Sequence, residues 1–151
     1  MHFGDLRTHL LCLTISAINN CSYCTVVYAS AFQLTYLYEH GRLFPLDEQA
    51  IDQLHGLPPS LICYRLIAAI HQAGLGPHAR LLDRAITLAL TEQPRPTDVD
   101  DARITHLVRV FRGLNAIAAA SGIEPDQAPT RLNKDAALKL RYRQLRAASS
   151  I

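Results

Sequence analysis

Cys21 and Cys24 are the residues of this chain best suited to chemistry: two thiols three positions apart, in Asn19-Asn20-Cys21-Ser22-Tyr23-Cys24. At that spacing on a helix the sulfurs are one turn apart and can close a small disulfide ring. Read as a helix start, Asn19 or Asn20 is the cap and Cys21 lies in the first turn. The sulfurs would then face unpaired backbone N–H groups and the positive end of the helix dipole. That setting favours thiolate, the reactive form. The first expectation is a dithiol/disulfide redox centre. Half of a zinc site has the same spacing, but no second CxxC or CxxH accompanies it, so no metal is expected.

The elements that must position the pair are helical. Leu6 to Ile18 carries apolar residues nearly all round, with Asp5 as its expected cap, and should be buried. A second helix is expected from near Asn20 to about His40, stopped by Gly41. A short helix follows Asp47. Further helices are expected from a Ser60 cap over Leu61 to Ala73, from His78 to about Thr91, and from a Thr97 or Asp98 cap to Ser121. A basic helix over 133–148, capped by Asn133, closes the chain. No alternating strand pattern appears, and no linker or repeat divides the sequence. The expected fold class is all-α, a bundle of about six to seven helices in a single domain over 1–151.

Bulk properties narrow the function. The chain has 151 residues, 49% hydrophobic and 19% charged, which is globular composition with room for a core. A net charge of +2 gives no electrostatic footprint for nucleic acid. The apolar runs are interrupted by Asn, Ser, Thr and Tyr, so no membrane span is expected. Four cysteines without a leader pattern suggest a reducing, cytoplasmic setting. Cys12 and Cys63 lie in apolar runs and read as core residues. His55, His71, His78 and His106 read as solvated. Tyr23, Tyr36 and Tyr38 read as pocket or interface residues.

An all-α chain with CxxC at a helix start is not thioredoxin-like. The segment Ser16-Ala17-Ile18-Asn19-Asn20-Cys21-Ser22-Tyr23-Cys24 resembles the AhpD-like alkylhydroperoxidase and carboxymuconolactone decarboxylase superfamily, whose members commonly show Asn-Gly-Cys-x-Tyr-Cys here. A weaker echo is Asn115 followed by Gly122-Ile123-Glu124-Pro125-Asp126. The family motif places a Glu twelve residues before the first Cys and a His four after the second. Here those positions are His9 and Tyr28. The resemblance implies an AhpD-like bundle in which Cys24 attacks a peroxide and Cys21 resolves it. It also implies an external dithiol protein as reductant and a homo-oligomer, with trimers and hexamers among family forms. No cofactor is implied.

Both departures fall on the proton relay. His9, with an ordinary pKa near 6.5, can accept a proton near neutrality. Tyr28 shares a helical face with Cys24 and can donate a hydrogen bond, but its ordinary pKa near 10 makes it a poor base. The candidate catalytic set is therefore Cys21, Cys24, His9 and Tyr28. Two other readings stand beside the peroxidase: a non-catalytic helical scaffold that kept the fold and lost the relay, and a lactone decarboxylase-like lyase. The CxxC pair argues against the lyase.

Overall fold

A computed structural model describes residues 3–121 and 128–150. Among the described residues the chain forms seven α-helices and no strand, which is the all-α class expected. They are α1 (Asp5–Ile18), α2 (Ser22–His40), α3 (Glu48–Asp52), α4 (Pro59–Gln72), α5 (Ala79–Leu90), α6 (Val99–Ser121) and α7 (Ala136–Ser149). Short 3-10 turns cover Gly76–His78 and Arg131–Lys134. No helix among the described residues is long and apolar enough to cross a membrane. The Gly122 to Asp126 echo lies outside the described residues.

The centre of the bundle is α1. It packs most extensively on α2 and also touches α4, α5 and α6. Its residues from His9 to Ala17 are all buried. One side of α1, with Leu6, Leu10 and Leu13, joins Phe32 and Tyr36 of α2, Leu66 and Ile70 of α4 and Leu82 of α5. The opposite side, with Leu11, Cys12 and Ile15, joins Leu88 of α5 and Ile104, Val108 and Phe111 of α6. A helix covered on opposite sides needs apolar residues all round. The buried threonine it carries is satisfied locally: the Thr14 hydroxyl donates to the Leu10 carbonyl at 2.7 Å, as Thr25 and Thr35 of α2 do to Cys21 and Ala31.

The basic terminal helix begins at Ala136, later than expected, because Asp135 supplies the cap: its carboxylate accepts from the Leu138 N–H at 2.9 Å. It docks on the chain's own α2 through Leu138, Tyr142 and Leu145. Arg146 donates to the Gln33 side chain at 2.9 Å and to the Leu46 carbonyl at 3.1 Å. The outer face of α2 is thus covered from within the chain. Other caps also differ from expectation. Gly4 precedes α1, with Asp5 inside its first turn, and Pro58 rather than Ser60 precedes α4. Asp98 does cap α6, accepting from Asp101 N–H at 2.8 Å. The buried Asp101 in turn takes a two-pronged ion pair from Arg84 of α5, at 2.7 Å on each oxygen.

The junction between α1 and α2 fixes the dithiol. Asn20 sits in the left-handed region at φ 57. The Cys21 N–H reaches back to the Ser16 carbonyl at 3.0 Å and the Asn20 N–H to the Ala17 carbonyl at 3.1 Å. This is a Schellman closure, in which the left-handed position usually holds glycine and tolerates asparagine. Asn20 thus meets this backbone requirement without a glycine. Asn20→Gly should leave stability equal or higher, and Asn20→Ala should lose about 1 kcal/mol, because alanine pays the steric cost of positive φ. Urea unfolding of the three proteins checks this; an alanine variant as stable as wild type would contradict the assignment.

Candidate functional site

Cys21, not Asn19 or Asn20, caps α2. Its backbone is extended, and its sulfur accepts from the Cys24 N–H at 3.4 Å. The Cys21 carbonyl accepts from the Thr25 N–H at 3.0 Å and the Thr25 hydroxyl at 2.7 Å. One residue therefore closes α1 with its N–H and opens α2 with its carbonyl and its sulfur. Cys24 sits in the first turn of α2, and both cysteines are buried and free. The link between the two residues is that backbone-to-sulfur hydrogen bond, which sets the Cys21 sulfur at the first turn that carries Cys24.

Burial reverses the expected thiolate character at Cys24. Its pKa is pushed up to about 11, first by desolvation and then by its contacts with the Cys21 thiol. The polar side chain of Asn115 acts in the opposite direction. A neutral thiol is therefore the resting form of Cys24 at pH 7.

The two candidate relay residues are neighbours. The His9 and Tyr28 rings lie 6.4 Å apart, centroid to centroid, and Tyr28 packs on Phe111 of α6 at 5.2 Å. Desolvation holds His9 below the usual histidine value, with Asp5 opposing it. His9 is therefore neutral at pH 7, and its buried Nδ1 has no hydrogen-bond partner among the described residues. Tyr28 is pushed up to about 12, by burial first and then by the thiols of Cys12 and Cys24. It stays protonated, so it can donate a hydrogen bond but cannot serve as the base. The proximity runs from His9 to Tyr28 and from Tyr28 toward the dithiol.

A further residue belongs to the site. Asn115 of α6 is 2% exposed. Its amide donates to the Ser16 hydroxyl at 3.2 Å, and its carbonyl accepts from the Asn19 amide at 2.8 Å. Sequence reading placed Asn115 only as a family echo. The available signal was a polar residue continuing the buried spacing Ile104, Val108, Phe111. The other thiols separate. Cys12 is 2% exposed and pushed to about 12 by burial, as a core residue should be. Cys63 is not core: it is half-buried at the edge of α4, 3.8 Å from the Asp83 carboxylate. His78 is half-buried and accepts from Arg7 Nε at 3.2 Å. Tyr36 is wholly buried and donates to the Ala73 carbonyl at 2.8 Å. Among the described residues no three His, Cys, Asp or Glu side chains converge as a metal ion would require.

Compared with protein-family models, curated proteins and solved structures, the chain matches none.

Native alkylation should modify Cys63 well before Cys12, which should react only as the chain unfolds. Timed labelling with peptide mapping checks the order. Equal rates at Cys12 and Cys63 would contradict the burial described.

Proposed function

We propose that the chain is an AhpD-like dithiol peroxidase or disulfide oxidoreductase. The observation that carries this is the Cys21–Cys24 contact at the start of α2, with His9 and Tyr28 grouped beside it. Cys24 gives up its proton, and its thiolate attacks one oxygen of a peroxide. The S–O bond forms as the O–O bond breaks, and the departing alkoxide takes a proton to leave as alcohol. The sulfur has then supplied two electrons. Cys21 attacks the sulfenic sulfur, the S–S bond forms, and water leaves after protonation of hydroxide. An external dithiol protein restores both thiols by exchange and becomes the disulfide.

Neutral His9 is the available proton acceptor, and protonated Tyr28 is the available donor. In this role the pair stands where the resembled family has Glu and His. A homo-oligomer, trimer or hexamer, is part of the proposal. The apolar excess of α1 and α2 does not support it, since the chain covers those helices itself. Its support is α6, where Val110, Leu114 and Ile117 are exposed at helical spacing.

The raised Cys24 pKa favours a second reading, a helical scaffold whose thiols are slow. Peroxide consumption in the presence of a dithiol reductant separates the two. The peroxidase reading expects turnover well above that of a free thiol and its loss in Cys24→Ser. His9→Ala should lose most of the rate together with a pH inflection below histidine's usual value, since burial lowers His9 and it accepts a proton only above its own pKa. Tyr28→Phe should cost less, about the 0.5–1.5 kcal/mol of one hydrogen bond. Wild-type consumption no faster than a free thiol would decide for the scaffold.

A further inference from the structure

Away from the dithiol, residues of α7, of α3 and of the chain just after α2 line a groove of about 850 Å³, with Arg42, Arg143 and Arg146 facing Asp47 and Glu48. Two of these arginines are fixed from behind. Arg42 donates from Nε to the Tyr36 hydroxyl at 3.1 Å and from Nη2 to the Ala73 carbonyl at 2.7 Å. Arg146 donates from Nε to the Tyr142 hydroxyl at 3.0 Å and from Nη2 to the Gln33 side chain and the Leu46 carbonyl. A guanidinium has five N–H donors, so Arg42 keeps three unspent and Arg146 two. Arg143 is exposed and makes no hydrogen bond or ion pair among the described residues. The carboxylates are partly spent. Asp47 caps α3, accepting from the Ala50 N–H at 2.7 Å. Glu48 accepts from the Tyr142 hydroxyl at 2.5 Å, and that hydroxyl accepts from Arg146, so Glu48 and Arg146 are tied through one oxygen. The positive excess of the lining therefore rests on Arg42 and Arg143.

We propose that this groove binds a small organic oxyanion, a carboxylate or a phosphate ester, held by the unspent N–H groups of Arg42 and Arg143. Both ligand types match the planar fork of a guanidinium, which can give them two parallel hydrogen bonds. Arg42 is prepared for this. Its side chain is already ordered by Tyr36 and Ala73, so little freedom is lost when an anion arrives. The groove is far larger than a bare ion needs and falls within the range of small-molecule sites, roughly 300–1,000 Å³. Leu43, Phe44 and Pro45 give its lining an apolar stretch that suits a carbon body beside the anionic group. With Asp47 and Glu48 in the same lining the charge excess is small, which suits a small anion rather than a polyanion. The groove does not depend on the dithiol, and its role stands or falls apart from the peroxidase reading.

Calorimetric titration of the full-length reduced protein in low-salt buffer tests the groove, with phenyl phosphate, phthalate and inorganic phosphate as probes. Phenyl phosphate or phthalate should bind at one site with a Kd of about 1 mM or tighter. Inorganic phosphate, which has no carbon body, should bind more weakly. The tighter of the two organic probes tells a phosphate site from a carboxylate site. Arg143→Gln should weaken binding by about tenfold or more, the effect of losing one charge-assisted hydrogen bond. Arg80→Gln makes the same charge change at an exposed arginine of α5 and should leave binding as it is. Arg42→Lys keeps the charge but loses the fork, and it should weaken binding too. Circular dichroism establishes that it folds; where it does not, Arg143→Gln, at an exposed side chain, decides alone. No binding of either organic probe overturns the proposal. Equal losses in Arg143→Gln and Arg80→Gln also overturn it, since they would mark attraction to the overall charge. Inorganic phosphate binding as tightly as the organic probes would overturn the organic character of the ligand.

Discussion

Cys21 is held from both sides by its own backbone, and the rest of the site depends on that. Its N–H ends α1 and its carbonyl starts α2, so its conformation is set by two helices at once. The left-handed Asn20 just before it lets the chain reverse within two residues. That reversal lays α2 along α1 and leaves the Cys21 sulfur over the first N–H groups of α2. Cys24 follows one turn later by helical geometry alone. Removing the turn would detach the dithiol from the end of α1, where Ser16 and Asn19 hold Asn115 of α6.

Protection and reactivity pull against each other at this junction. The same covering that satisfies the apolar circumference of α1 also takes Cys24 and His9 out of water. Desolvation penalises the thiolate and the imidazolium alike, so both groups rest neutral. Moving a proton from a neutral thiol to a neutral imidazole makes two charges, and these are costly in an apolar surround. The Asn115 side chain, which acts to lower the Cys24 pKa, opposes part of that cost.

Much of this was legible in the sequence where spacing carried it. The apolar circumference of α1 announced a buried helix, Gly41 marked the end of α2, and Asp47 the start of α3. The capping chemistry was less visible. Cysteine is not an expected cap, and an asparagine at positive φ cannot be told from an asparagine that caps. Cys63 was misplaced because α4 is amphipathic: Ile62, Leu66 and Ile70 define its buried face, and Cys63 falls beside them rather than among them. Asn115 was hidden for another reason. Its partners Ser16 and Asn19 lie more than ninety positions away, and no local pattern signals a long-range hydrogen bond. The apolar surface of α2 pointed to other subunits only because the docking of α7 on it is likewise a long-range contact.

The most direct measurement is a disulfide map of the native, fully reduced protein after a brief exposure to dilute peroxide. A redox dithiol predicts one intramolecular disulfide, between Cys21 and Cys24, with Cys12 and Cys63 recovered as thiols and no disulfide formed in Cys24→Ser. Four free thiols after exposure, or a bridge that joins Cys12 or Cys63 to either member of the pair, would contradict it.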